Sequence, residues 1–397
     1  MPRVTRHSGR GRSHPTGWVP KVVLLIESSR SSGRSLLRGI ADYARHHGPW
    51  AFYWEPGGLE KAWPKLQTLD ADGFILRDVK RLENVLDRRL PTVVVGHSKQ
   101  EIPEVANVIT DSEAIGRMAA EHLLSRGFRE FAFCGFEGIP WSGLRGESFS
   151  RRLVQAGHRA HFYRAPATPA STDWQAERGY MADWLKSLPK PVGLMAANDD
   201  RGEQVIEACK VARIHVPDEV AVIGADNDEL VCELSDPPMS SVALNFERAG
   251  YESAAVLDQL MRGRQPAGKK IFVAATHVVT RRSTDILAVA DPHLAAALRF
   301  IRDHAREMIG VPEVVHGAGV SRRLLEKRFQ ETLRRSILSE IRRVRVDQVC
   351  GMLVETNQSI SEIALALGYA GPEHIARYFR REKRTIPLTY RRQFGRK

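Results

Sequence analysis

Two sets of side chains in this chain have the types and spacing to do chemistry. The first is cationic: Arg322, Arg323 and Lys327 share one short stretch, and Glu373, His374, Arg377 and Arg380 share another about 50 residues later. Arginine can grip guanine or phosphate through two parallel N–H donors, so Arg322, Arg323, Lys327, His374 and Arg377 are base-edge candidates, of which at least two should touch only phosphate. The second set follows short apolar runs. Ser28, Ser29 and Arg30 come after Val22 to Ile26, Asn198-Asp199 after Leu194-Met195, and Asp226-Asn227 after Val222-Ile223. Carboxylates and a guanidinium hold vicinal hydroxyls through charge-assisted hydrogen bonds, and Trp141 offers an aromatic face to a sugar ring. Plainer readings stand beside these. Asp226-Asn227 reads equally well as a turn, Ser28 to Arg30 as a loop closure, Trp141 in its Gly-Ile-Pro-Trp-Ser-Gly segment as lid or surface, and any one cation as part of a solvated helix face.

The cationic stretches need helices to present them. Pro312 suits a first helical position, Gly319 a turn, and Ser321 an N-cap, after which Leu325 and Phe329 mark one buried face. The plan repeats. Ser359-Ile360-Ser361-Glu362 has capping-box spacing, Gly368 to Gly371 turns the chain, and Pro372 starts a helix with Ile375 and Phe379 inward. Between the copies Ile337 to Glu355 predicts one long spacer helix, whose Arg342, Arg343 and Arg345 are expected to see DNA backbone or solvent.

The polar set needs strands. Apolar runs at Val22 to Ile26, Ala51 to Trp54, Gly73 to Leu76, Thr92 to Val95, Val108-Ile109, Phe131 to Phe133, Val192 to Met195 and Val220 to Ile223 alternate with helical patterns at Arg34 to His47, Ser112 to Arg126, Gly146 to Ala156, Asp199 to Ala212 and Arg248 to Arg262. Such alternation predicts parallel sheets covered by helices, and ligands of such sheets sit beyond the carboxyl ends of the strands. With some 260 residues to divide, two doubly wound lobes are expected rather than one.

Both halves resemble known families. Ser321…Leu325…Phe329, Arg345…Leu353…Thr356, Ser359-Ile360…Ile363-Ala364, Gly368-Tyr369, Phe379 and Pro387…Tyr390-Arg391 resemble the double helix-turn-helix domain of AraC-type transcription regulators, although Arg334 and Arg384 stand where that family places a turn glycine. Asp72-Gly73-Phe74-Ile75, Asp111…Gly116…His122, Arg145…Phe149, Ala197-Asn198-Asp199, Val222-Ile223-Gly224…Asp226-Asn227 and Arg282-Ser283-Thr284 resemble the effector domain of LacI-type repressors and periplasmic sugar-binding proteins. That second likeness implies that Arg145, Asp199, Asp226 and Asn245 face the ligand. Together they imply an α/β two-lobed periplasmic-binding-protein-like domain with parallel doubly wound sheets, followed by an all-α double helix-turn-helix domain. The implied boundaries are a disordered basic tail at 1–20, the effector domain at 21–285, a linker at 286–292 and the reader at 293–397.

Charge and composition agree with that division. The 397 residues carry a formal charge of +12. Asp291 to Lys397 holds 21 Lys+Arg against 12 Asp+Glu, a net of +9, residues 1 to 20 add +4, and the middle is close to neutral. A cationic end beside a neutral body predicts a polyanion partner for one domain only. Cys134, Cys209, Cys232 and Cys350 have no paired spacing, so neither a disulfide framework nor a metal site is expected, and no cofactor is implied. No apolar run approaches the ~20 residues of a membrane span, and no signal-peptide core precedes Lys21; a cytoplasmic protein is expected. No Gly-x-Ser-x-Gly elbow or phosphate loop points to an enzyme. The two resemblances together imply a transcription regulator, activator or repressor, that binds a small sugar, xylose or a related pentose, between two lobes and reads double-stranded promoter DNA. A homodimer and contact with RNA polymerase are further expectations. The alternatives are the same architecture with a non-pentose effector, or a carbohydrate-binding protein or enzyme with no role on DNA.

Overall fold

The computed structural model describes residues 17–57, 69–77, 82–96, 101–165, 174–264, 268–286 and 291–395. Most of the expected basic tail (1–16) and the centre of the expected linker (287–290) lie outside the described residues. The chain opens with β1 (Lys21–Leu25), α1 (Ser31–His47), β2 (Ala51–Trp54), β3 (Gly73–Arg77), α2 (Leu82–Leu86), β4 (Thr92–Val95) and β5 (Ala106–Thr110). It continues through α3 (Ser112–Ser125), β6 (Glu130–Cys134), α4 (Pro140–Gln155), β7 (Ala160–Phe162), α5 (Trp174–Ser187), β8 (Val192–Ala196), α6 (Asp199–Ala212) and β9 (Val220–Asp226). Next come α7 (Glu229–Leu234), β10 (Ser240–Leu244), α8 (Phe246–Met261), β11 (Lys270–Val273) and β12 (Ala275–Val279). Among the described residues a short 3-10 helix (Arg282–Thr284) and seven α-helices complete it: α9 (Pro292–Asp303), α10 (Val311–Ala318), α11 (Arg322–Leu333), α12 (Ile337–Glu355), α13 (Ile360–Ala366), α14 (Pro372–Lys383) and α15 (Pro387–Phe394).

Two compact units result. The first takes the chain up to Thr110, Ile139–Trp141 and Asn245–Val273, and its sheet has the order β11-β5-β4-β3-β1-β2, parallel throughout. Strands buried on both faces must be apolar where they are buried, and Val22–Leu25 of β1, Gly73–Leu76 of β3 and Val93–Val95 of β4 are. Helices α1 and α8 press together because Gly39 and Gly250 carry no Cβ: one placed on Gly39 would overlap the Glu247 carbonyl, and one on Gly250 the Leu36 carbonyl.

The second unit takes Asp111–Gly138, Ser142–Leu244 and everything from Ala274 onward. Its sheet runs β12-β10-β9-β8-β6-β7, around a core of Ala132, Leu194, Val205, Val222 and their neighbours. One pair corrects the all-parallel expectation, since β10 and β12 are antiparallel, with a register irregularity between Val242 and Leu244. Helix α8 leads from β10 into β11 of the other sheet, and the chain enters β12 one residue after β11, so no helix crosses from β10 directly into β12 to impose a parallel direction.

The seven terminal helices form two small cores that share α12. Its first half supplies Ile337, Ile341 and Val344 to a core with Leu325 and Phe329, and its second half supplies Val349, Cys350 and Leu353 to a core with Ile363, Ile375 and Phe379. The capping expectations hold. Ser321 Oγ accepts from the Leu324 N–H at 3.4 Å, and Ser359 and Glu362 close a capping box at 3.1 and 2.6 Å. The expectation for the spacer arginines does not. Arg343 is bound by Glu340 and Asp347, Arg342 lies over the Tyr378 ring, and Arg345, 4% exposed, donates to Tyr369 Oη and the Leu367 carbonyl. All three side chains are engaged within the reader, Arg345 buried and Arg342 and Arg343 partly exposed.

Candidate functional site

In the second unit, strand ends bring several of the predicted polar residues together. Asp199 opens α6 directly after β8, whose preceding Asn198 caps the helix by accepting from the Arg201 N–H at 3.0 Å. Asp226 ends β9 with φ +102°, and Asn227 follows at φ +52°. Arg145 reaches them from α4. Its guanidinium is 2% exposed, donating to the Ala197 carbonyl at 2.6 Å and to Asp226 Oδ1 at 3.1 Å, while the Asp226 side chain remains 25% exposed. A fixed guanidinium beside a partly open carboxylate offers donors and acceptors to a diol.

Asp199 behaves differently. It is 3% exposed, and both oxygens are occupied, Oδ1 by the Ser241 hydroxyl at 2.6 Å and Oδ2 by the Asp228 N–H at 2.7 Å. Burial, and then the nearby Asp226 carboxylate, push its carboxyl well above the usual carboxylate range. Ser241 also accepts from the Asn227 N–H at 3.0 Å, so Asp199 and Ser241 together pin the 226–228 turn from beneath. Asn227 Oδ1 accepts from Arg281 at 3.0 Å. The structure thus makes Asp226-Asn227 both a turn and a polar site.

The other candidates belong to the first unit. Ser28 is half-buried and Ser29 and Arg30 are exposed; the Ser28 and Ser29 carbonyls accept from Arg34, and Arg30 stands at the N-cap of α1. Trp141 is half-buried in the first turn of α4, which begins at Pro140, six residues before the expected start at Gly146. Asn245 caps α8, its side-chain oxygen accepting from the Arg248 N–H at 2.9 Å.

Sequence reasoning gave Ser241, Asp228, Gly224 and Arg281 no role at the site. A Cβ on Gly224 would overlap Asp199 Oδ1, which explains a glycine in the middle of β9. The available signal was Ser240-Ser241, two adjacent hydroxyls opening an otherwise apolar strand.

On the reader, Ser321, Arg322, Arg323, Lys327, Glu373, His374, Arg377 and Arg380 are all exposed. Arg322 pairs with Glu326 at 2.8 Å and Lys327 with Glu331 at 3.8 Å, whereas among the described residues Arg323, Arg377 and Arg380 form no ion pair. At 1.5 Å per residue the spacer α12 is about 28 Å long, of the order of one DNA turn.

Comparison with known proteins decides what this arrangement belongs to. A periplasmic binding protein-like domain matches residues 120–284 and a helix-turn-helix domain matches 314–393. The xylose operon regulatory protein of Escherichia coli (strain K12) is 31% identical over 380 residues, 94% of this chain and 96% of that one. The chain belongs to the xylose operon regulatory protein family. The Haemophilus influenzae protein of that name is 29% identical over 94% of this chain and 98% of its own. The solved structure of a xylose-binding transcription activator, xylR, matches with a TM-score of 0.59 at 29% identity, covering 96% of this chain and 100% of that one. This family member is a sugar-responsive DNA-binding regulator, whose relatives are transcription regulators. Among the described residues no helix is long and apolar enough to cross a membrane, and no group of His, Cys, Asp or Glu is arranged to hold a metal.

Proposed function

We propose that the effector is xylose or a related pentose, and that Arg145, Asp226 and Asn227 contact it while Asp199 holds them in place. The Arg145–Asp226 pair carries this reading: a buried guanidinium beside a carboxylate that still reaches solvent matches adjacent hydroxyls of a small sugar. The sequence argument extends the proposal to Ser28, Ser29, Arg30, Trp141 and Asn245, each to be tested by its own substitution. On the reader, Arg322, Arg323, Lys327, His374 and Arg377 meet base edges or phosphates, with Ser321, Glu373 and Arg380 flanking them. The exposure of all eight, on or beside the second helix of each helix-turn-helix unit, supports that assignment.

Residues 21–285 act in this proposal as sensor and 293–397 as reader, joined at 286–292. The regulator works in the cytoplasm as a homodimer without enzymatic activity and contacts RNA polymerase as an activator; the family's regulatory role and the AraC-like reader support this. Calorimetric titration of xylose, arabinose, ribose and glucose into the purified chain tests the effector. Binding heat for a pentose, strongest for xylose, is expected, and silence toward every pentose would overturn the reading.

A further inference from the structure

The second unit contains a joint between the sensor sheet and the DNA reader that neither activity requires. Strand β12 is the edge of its sheet, and an edge strand presents unpaired backbone groups that must be covered. Here the reader meets one of them and packs a second contact beside it. Tyr390 of α15, 6% exposed, donates its hydroxyl to the Thr276 carbonyl at 2.6 Å. The next residue of β12, His277, is 8% exposed and places Nε2 3.0 Å from Glu355, the last residue of α12. The first helix-turn-helix unit is tied separately, by Arg129 at the entrance to β6, which donates to the Thr332 carbonyl in the last turn of α11 at 2.7 Å.

The route from this joint to the sugar site is short. The β10 irregularity leaves the Ala243 carbonyl to the Thr276 hydroxyl, which donates to it at 3.1 Å. Ala243 is paired in register with Asp226, the carboxylate beside Arg145. Asp226, Ala243, Thr276 and Tyr390 therefore form one unbroken series of backbone pairing and hydrogen bonds. A displacement of Asp226 along β9 reaches the second helix-turn-helix unit through two residues. Packed and hydrogen-bonded elements transmit shifts of this kind when both ends bias the same arrangement.

We infer that β12 is a docking edge whose partner is this chain's own second helix-turn-helix unit, and that Tyr390–Thr276 and His277–Glu355 carry the state of the sugar site to the DNA surface. The inference rests on sugar control of DNA binding and not on which sugar is bound. Tyr390 and His277 are positioning residues, outside both the sugar and the DNA contacts.

Two measurements test it on the full chain. In the sugar-free protein, Tyr390→Phe combined with His277→Ala should speed hydrogen exchange of the β12 and α15 amides at least tenfold, while α6 and β8 stay protected; unchanged exchange at β12 and α15 overturns the docking. Tyr390→Phe alone keeps the ring against Phe379 and Phe394 and so guards against simple unfolding. With duplex selected by the protein from a random pool, this variant should bind xylose within about twofold of the parent, yet lose at least fivefold of the sugar-induced change in operator affinity. A full sugar response in both variants overturns the coupling. Absence of xylose binding in the parent protein would instead count against the pentose effector, and the exchange measurement would still decide the joint.

Discussion

The Ser241 hydroxyl donates to Asp199 Oδ1 at 2.6 Å while accepting from the Asn227 backbone N–H at 3.0 Å. One oxygen thus links a buried acid to the turn that carries Asp226. Ser241→Ala removes both bonds at once and leaves a buried carboxyl oxygen and a backbone donor short of partners, a loss of roughly 1–3 kcal/mol. Chemical denaturation should show that loss, and pentose affinity should fall with it because the turn is no longer fixed. Unchanged affinity in a well-folded variant would detach the turn from the sugar site.

The raised carboxyl of Asp199 makes a prediction with a sign. Its folded-state value lies above the ordinary 3.8, because burial and Asp226 oppose the charge. The folded state therefore binds the proton more tightly than the unfolded chain. Its contribution to stability is complete below the unfolded value and is lost as pH rises through the folded one. Asp199→Asn is neutral at every pH and escapes that loss. The melting temperature of the variant relative to the parent should accordingly climb as pH rises above the ordinary carboxylate range and through the raised folded-state value. A difference that is flat, or that falls, would mean that Asp199 is ionised in the fold.

Much of this was legible in the sequence, for identifiable reasons. The helix-turn-helix units were legible nearly to the residue, since Pro312, Ser321, Ser359, Glu362 and Pro372 are local signals that act within one helical turn. Arg342 and Arg345 were misjudged because their partners, the Tyr378 ring and Tyr369 with the Leu367 carbonyl, lie elsewhere in the chain, whereas the Glu340–Arg343–Asp347 pairs, three and four residues apart on α12 itself, were readable and went unread. The strand-end rule located Asp199 and Asp226 but not the difference between them, because a carboxylate left partly exposed and one buried against a turn have the same local sequence. Burial of Asp199 against Ser241, 42 residues away, is a tertiary fact. The antiparallel β12 was missed for a related reason, as strand direction depends on the connection and not on the strand.

Arg323 and Arg377 should separate base reading from phosphate anchoring. Both are exposed, and among the described residues neither is tied to an acid, so each is available without breaking an ion pair. Arg323→Ala or Arg377→Ala should weaken operator binding by about 1–3 kcal/mol and relax sequence preference at one position if the side chain pairs with a base. An equal loss on operator and random duplex, with a shallower salt dependence, would assign it to phosphate. Arg322→Ala should cost less than either, because Glu326 already holds that guanidinium at 2.8 Å and must release it first.

Arg334 and Arg384 end α11 and α14 in the left-handed region, at φ +54° and +55°, where a glycine is the unstrained choice. Each still closes its helix, with backbone N–H groups donating to the Gln330 and Arg380 carbonyls at 3.2 and 3.0 Å. An L side chain in this region costs about 1–2 kcal/mol, whereas glycine gives back about 0.4–1 kcal/mol through a looser unfolded chain. Arg334→Gly and Arg384→Gly should therefore each stabilise the fold by up to about 1 kcal/mol. Both side chains are exposed, so burial does not offset the strain. If pairing with phosphate is what keeps arginine there, the glycine variants will melt higher and bind nonspecific duplex more weakly, with the salt slope shallower by about one for each phosphate no longer neutralised. A higher melting temperature with DNA affinity intact would leave the two arginines without a role on DNA. A lower melting temperature would show that the left-handed turns are not strained at all.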